Sequence, residues 1–466
     1  MEKKNTWETY SSKQLKELEK INAQYRDFLD NGKTERECID TIVNTIEKSG
    51  YRELESLIKE GAALKTGDKV YSVWMNKSIA MFQIGRKPMT DGMNILGAHI
   101  DSPRLDVKQN PLYEDGGFAY LDTHYYGGVK KYQWVTIPLA IHGVIVKKDG
   151  TCVEINIGEN EDDPVFFVSD LLIHLAQEQL EKKAAKVIEG EALDIIVGDK
   201  KDKKKDEKEA GKEAVKAGVL DILKETYDIH EEDFVSAELE IVPAGKAREA
   251  GFDRSMTLAY GQDDRVCAYT SMQAMLDSDV TDRTMCCILV DKEEIGSVGA
   301  TGMQSHFFEN AVAEVMNLAG EYSELNVRRC LAHSCMLSSD VSSAFDPTYA
   351  SSFDKKNVAY LGGGMVINKF TGARGKSGSN DANAEYLAHL RHIFDKAEVN
   401  FQTAELGKVD LGGGGTIAYI LALYGMNVID SGVAVLNMHA PWEATSKADV
   451  YEAYRGYKAF VEGASL

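Results

Sequence analysis

The sequence predicts an α/β fold: a mixed-sheet domain covered by helices and formed from both ends of the chain, interrupted by an inserted β-rich domain. Three observations carry that expectation. After residue 250, apolar runs that suit buried strands, MCCILV, LAHSCML and VAVLNM, alternate with helical segments, which is the rhythm of a sheet covered on both faces. Between about 106 and 250 the texture changes to aromatic and β-branched stretches such as TIPLAIHGVIV and TCVEINIG. With 466 residues, 44% of them hydrophobic, the chain is long enough for two or three domains. The expected boundaries are 1–105 with 251–466 for the discontinuous α/β domain and 106–250 for the insert.

In chain order, residues 12 to 49 read as two helices, because apolar residues recur at three- and four-residue spacing. Thr34 with Glu37 makes a capping box for the second, and Gly50 follows as its stop. The runs VYSVWM, SIAMFQIG and MNILGA predict strands from 70 to 98, the first two separated by a turn at Asn76-Lys77. Inside the insert a helix is expected near 168 to 188, followed by the mixed-charge run GDKKDKKKDEKEAGKEAVK, read as a solvated loop. Further helices are expected near 264 to 277, 304 to 318 and 416 to 424. No repeat of solenoid period appears.

Composition narrows the function. The 74 acidic residues against 53 basic ones give a formal charge of -21, which repels nucleic acid and anionic membrane surfaces. Neither partner is expected. Seven scattered cysteines without metal-finger spacing read as reduced core thiols. The opening MEKKNTWETYSSKQLKELEK has no apolar signal core, and nowhere do eighteen uncharged apolar residues run together. Cytoplasmic residence is the expectation.

The chemistry is suggested by position. ILGAHID, CCILVDKEE, SCMLSSD and VLNMH each run from an apolar strand-like segment straight into His, Asp or Glu. In open α/β sheets the ligand crevice lies beyond the carboxyl ends of the strands, so these side chains are expected at one edge. YGQDDRV adds two aspartates at a helix start. The candidates are His99, Asp101, Asp263, Asp264, Glu293, Glu294, Asp340 and His439. Singly such residues are commonplace; their shared placement is what favours a metal site. Six clustered carboxylates demand cations, and imidazole with carboxylate suits zinc, manganese or cobalt. Of the adjacent Glu293-Glu294 pair, one side chain can ligate while the other serves as general base to an attacking water. There is no G-x-S-x-G elbow and no credible Cys/His pair. Gly412 to Gly415 lack the phosphate-loop pattern and read as a close-packed turn beside the site.

These segments, GAHIDSPRLDVK, GQDDRVCAYTSMQAMLDS, DKEEIGSVGATG, SSDVSSAFDP and MHAPWE, in this order resemble the motifs of the M18 metallopeptidases, the aspartyl-aminopeptidase family. The resemblance spans most of the chain. It implies hydrolysis of the N-terminal residue from unblocked peptides with two divalent ions per subunit, zinc first, manganese or cobalt as alternatives. His99 and Asp340 would serve one metal, Glu294 and His439 the other, with Asp263 bridging. Glu293 would be the general base and Asp101 would orient His99. The family also implies that the insert builds dimers, which assemble into a homo-dodecamer. In some members a histidine of the insert reaches a partner subunit's substrate, a position that His174 in LLIHLAQEQ resembles.

Two departures bear on specificity. Members that prefer acidic residues carry His where this chain has Ser343, and Lys near the strand GGMVIN where it has Asn368 followed by Lys369. Lys369 replaces that cation only if it faces the pocket, and neighbouring strand positions face opposite ways. Acidic and neutral preference both stay open here. So do two other readings: an N-acyl-amino-acid deacylase or dipeptidase on a related two-metal scaffold, and a non-catalytic assembly or cargo protein.

Overall fold

A computed structural model of the chain describes residues 5–201 and 213–465. The central part of the mixed-charge run expected as a loop lies outside the described residues; its end, from Ala214, opens a helix to Tyr227. The chain forms two compact units. Residues up to Asp101, Ala247–Met438 and from Glu443 onward make the first; Ser102–Lys246 with His439–Trp442 make the second.

The first unit is built on a nine-stranded mixed sheet. In chain order its strands are β1 (Arg52–Glu53), β2 (Lys69–Trp74), β3 (Ser78–Gln83), β4 (Met93–His99), β5 (Thr284–Val290), β6 (Cys335–Ser339), β7 (Met365–Asn368), β8 (Phe401–Thr403) and β9 (Asn427–Gly432). Across the sheet they lie β1-β2-β3-β5-β4-β6-β9-β7-β8. The four central strands β5, β4, β6 and β9 are parallel, and β3 and β7 flank them antiparallel. The carboxyl ends of the four parallel strands therefore share one edge.

Period-two alternation explains why the central runs are apolar throughout. Met285, Cys287 and Leu289 of β5 join a core with Leu96, Ala98, Leu337 and Ile429 on one face. Cys286, Ile288 and Val290 join another with Ile95, Met336 and Val428 on the opposite face. Helices cover both. On the first face lie Ser12–Asn31, Gln262–Leu276 and Lys447–Gly463, contributing Ile21, Tyr25, Met272, Tyr457 and Phe460; on the second lie Phe307–Leu318 and Glu324–His333, contributing Phe308, Val312, Val315 and Leu331. Each fully buried aliphatic or Phe side chain stabilises the fold by roughly 1.5–3 kcal/mol relative to exposure. The helix Glu35–Glu47 has the expected reciprocal capping box, with Thr34 accepting from the Glu37 amide and Glu37 accepting from the Thr34 amide. Asn94 of β4 donates to the carbonyls of Val461 and Ala464, tying the end of the last helix to the sheet.

Two expectations about strands are corrected. In LAHSCML the first three residues end the helix Glu324–His333, and the strand begins at Cys335. VAVLNM supplies Ala434–Leu436 to a separate five-stranded sheet, ordered Arg248–Ala250, Met256–Ala259, Glu443–Ser446, Ala434–Leu436, Ser342–Ser343. So three of the four strand endings reach the edge of the main sheet, and the one before His439 comes from the smaller sheet.

The second unit holds a six-stranded antiparallel sheet, ordered Cys152–Ile157, Leu139–Val146, Ala237–Pro243, Arg104–Asp115, Phe118–Tyr126, Ile195–Gly198. Its buried side includes Leu121, Ile141, Ile145, Ile155, Leu239 and Ile241. The Arg104 guanidinium, stacked 3.9 Å over the Tyr126 ring, is paired with Asp106 at 2.8 Å and Glu240 at 3.2 Å, which satisfies a buried charge. The single helix expected near 168 to 188 is instead three short pieces, Ile173–Leu175, Gln177–Leu180 and Ala184–Val187. Leu172, Ile173, Leu175 and Leu180 are each more than half exposed, so no buried apolar face holds one continuous helix together.

Candidate active site

Each site residue of the first unit is delivered by the end of an element. β4 ends at His99, which is buried, with Nδ1 3.0 Å from the Asp101 carbonyl and 3.2 Å from the Asp101 carboxylate. That fixes the ring so that Nε2 faces the carboxylates: 3.4 Å to Asp263, 3.9 Å to Glu293 and 4.0 Å to Asp340. His99, Asp263 and Asp340 offer donor atoms that all lie within 4.8 Å of one another, and Asp263 and Glu294 do the same.

Asp101 is fully buried and accepts the backbone N–H groups of both Glu293 and Glu294 at 3.1 Å. Those two residues open a 3-10 turn, Glu293–Ile295, directly after Lys292, whose φ of 71° reverses the chain beyond β5. One carboxylate thus sets the ring of His99 and the turn that presents both glutamates.

Asp263 and Asp264 begin the buried helix Gln262–Leu276 and part company there. Asp263 turns toward Nε2 of His99, and its own amide donates to Glu443 at 2.9 Å. Asp264 accepts the backbone N–H of His99 at 3.4 Å, behind the cluster. Asp340 follows β6 directly, and its N–H donates to the Ser431 carbonyl at 2.8 Å.

Electrostatics make the cluster costly without a cation. Burial pushes the Asp340 carboxyl well above its ordinary range, and Glu293, Asp263 and Asp264 push it the same way. Asp264 is raised chiefly by its own burial. Burial opposes charge on His99, but Asp101 and Asp263, with Glu293 nearby, outweigh it and hold the imidazole well above its usual value. Carboxylates crowded this closely around one imidazole fit a divalent metal with mixed oxygen and nitrogen ligands.

His439, with a φ of 65°, belongs to the four-residue segment His439–Trp442 that groups with the second unit. Its Nδ1 lies 2.9 Å from the Gly128 carbonyl. The segment is tethered at both ends in the first unit, by Met438 and Glu443. His174 is exposed in the turn Ile173–Leu175. Asn368 is buried with its amide nitrogen 3.4 Å from Ser342, while the Lys369 ammonium points to Asp381 at 4.0 Å, where both side chains are about half exposed.

A family model described as aminopeptidase I zinc metalloprotease (M18) matches residues 28–461. The chain belongs to the M18 aminopeptidase family. A probable M18 family aminopeptidase 1 of Clostridium acetobutylicum is 63% identical over 99% of this chain and 98% of its own length. The crystal structure of the M18 aminopeptidase of Thermotoga maritima is 44% identical, with a TM-score of 0.94 over 100% of both chains. The yeast mApe1 dodecamer shares the fold at 20% identity, with a TM-score of 0.75 over 95% of this chain and 96% of its own. The protein is thus an M18 aminopeptidase, a peptidase of a zinc-dependent family. Among the described residues no helix is long and apolar enough to cross a membrane.

One group near the site escaped the sequence reading. Asp430 of β9 is buried, and the Thr416 hydroxyl donates to its Oδ1 at 2.5 Å. Burial pushes its carboxyl up to about 7. The signal was a lone acid inside the apolar run NVIDSGVAV.

Proposed function

We propose that the protein removes the N-terminal residue of unblocked peptides with two divalent ions per subunit, zinc being the ion expected from the family. The observation that carries this reading is the convergence of His99, Asp263 and Asp340 at the carboxyl edge of the main sheet. One ion would be held by His99, Asp263 and Asp340; the family resemblance implies Glu294 and His439 for the other, with Asp263 shared. The Gly128 carbonyl on Nδ1 of His439 leaves Nε2 as that ring's ligand nitrogen. When bound, such a pair polarises the scissile carbonyl and acidifies the attacking water.

The remaining work falls to this chain's own groups. Glu293 takes a proton from the attacking water on its carboxylate and returns it to the nitrogen of the departing amine. Asp101 keeps Glu293 in place through the backbone and keeps the His99 ring aimed at the cluster. Asp264, turned to the His99 amide, holds the strand end rather than a metal.

A neutral N-terminal residue is the preferred substrate in this reading. Lys369 is committed to the exposed Asp381 side, and Asn368 brings no positive charge. Neither residue so placed brings the positive charge that a buried acidic side chain would need. We further assign the second unit a dimer-forming role, with dimers assembling to a homo-dodecamer in the cytoplasm and His174 reaching the partner subunit's substrate. The exposed Leu171, Leu172, Ile173 and Leu175 around His174 support a protein interface there.

The test is release of the first residue from Leu-, Met-, Asp- and Glu-anilides and from acetyl-Leu-anilide, after metal stripping and reloading with zinc, manganese or cobalt. Metal-dependent cleavage of free Leu and Met substrates is expected. Preference for the blocked substrate would replace the reading with a deacylase, and inertness with every metal would leave only the non-catalytic alternative.

A further inference from the structure

Behind the ligand edge runs a row of three polar side chains on neighbouring strands, ending at a glycine on a fourth. Asn368 of β7 lies opposite Asp430 of β9, Asp430 opposite Ser338 of β6, and Ser338 opposite Gly97 of β4, so all four share one face. Gly97 and Ser338 each stand two residues before a metal-cluster residue, His99 and Asp340. The row therefore lies on the strands that lead to His99 and Asp340, and on the same sheet face. Asp430 Oδ2, Ser338 Oγ and Asn368 Oδ1 are buried and make no hydrogen bond.

From this row one bond leads out of the sheet. Thr416 donates to Asp430 Oδ1 at 2.5 Å, and the same hydroxyl accepts the N–H of Ala418 at 3.3 Å. Thr416 closes the run Gly412 to Gly415, whose glycines differ. A Cβ at Gly412 would collide with the Leu406 carbonyl oxygen, and one at Gly413 would meet Ala373 backbone at 2.5 Å, so these two are glycine because the chain packs on itself. At Gly414 and Gly415 a Cβ would meet nothing within 4 Å and neither residue has a left-handed φ. No local packing or conformation calls for glycine there, and the space beside both residues is open.

We propose that Asp430 is a positioning residue for the substrate: through Thr416 it fixes the glycine loop so that the open Gly414–Gly415 edge forms a wall on which the peptide backbone rests. The proposal rests on the hydrolytic centre being the His99–Asp263–Asp340 cluster. If that premise fails, cleavage survives metal removal in the wild type; if only the proposal fails, cleavage stays metal-dependent and the variants below keep a normal KM.

Gly415→Ala adds a methyl group that touches no protein atom within 4 Å, so a structural role alone would leave kinetics and melting unchanged. The expectation is a KM for Leu-Gly-Gly raised about tenfold with kcat within about twofold and metal content intact, the pattern of lost substrate binding. Thr416→Val removes the tether and should behave alike, and Thr416→Ser should restore KM. A wild-type KM in Gly415→Ala overturns the proposal, even if Thr416→Val fails to fold. So does a fall in kcat with unchanged KM in Thr416→Val, or a Thr416→Ser protein as impaired as Thr416→Val.

Discussion

Asp101 offers the sharpest test of how the site is held. Its carboxylate accepts two backbone N–H groups, from Glu293 and Glu294, both at 3.1 Å, and lies 3.2 Å from Nδ1 of His99. Asp101→Asn is nearly isosteric and leaves the side chain buried. The amide oxygen can still accept one of the two N–H groups, but the amide nitrogen then faces the other, donor to donor. The loss is one hydrogen bond to a charged group, on the order of 1.5–3 kcal/mol. With tenfold in rate for each 1.4 kcal/mol or so, kcat should fall about 10- to 100-fold, the range typical of groups that orient ligands and bases. Steady-state kinetics on Leu-anilide with parallel metal analysis measure this. Full metal occupancy with kcat within about twofold of wild type would refute the idea that Asp101 positions the glutamate turn.

Three further outcomes are expected. Glu293→Gln should retain metal yet lose at least about a hundredfold in kcat, the low end of a general base's contribution; near-normal turnover with full metal would remove Glu293 from that role. Asp263→Ala should lose both ions and Asp264→Ala retain them, measured by elemental analysis after gel filtration, since only Asp263 faces Nε2 of His99. Metal affinity should rise with pH. In the metal-free protein His99 and Asp340 hold protons to higher pH than usual, so binding must release them, and calorimetry in buffers of different ionisation enthalpy should register that release. Equal apparent enthalpy in every buffer would contradict it.

Much of the first unit was legible because its signals are local. A strand buried on both faces must be apolar at every position, and MCCILV and MNILGA are; a helix start needs its first amides capped, and Thr34 with Glu37 does so. That His99, Asp263, Glu293 and Asp340 would meet was legible because several such residues directly after buried strands point to one sheet edge, although each alone is commonplace. What failed was non-local. VAVLNM has the period of a strand but nothing in it says which sheet it joins. Residues 168 to 188 bury Val168, Ala176 and Ile188 but leave Leu172, Ile173, Leu175 and Leu180 exposed, so no single apolar stripe holds them as one helix. Asp430 was missed because a single acid inside a strand acquires meaning only from Thr416, fourteen positions earlier, and from the strands on either side.

The same hydrogen bonds sort the clustered carboxylates by what each needs. Asp101 has two backbone N–H groups and Asp264 has the amide of His99, so backbone donors supply part of what these deeply buried acids require. Asp263 and Asp340 are different, since both aim at one imidazole that can neutralise at most one of them. A second proton or a cation must make up the balance, and a proton would block the lone pairs that the chemistry uses. The crowding of negative charge is sharpest at the His99 ring, where Asp263 and Asp340 converge. Asp263 faces that ring while Asp264 faces only the backbone behind it, which is the reason Asp263 rather than Asp264 is assigned to both ions.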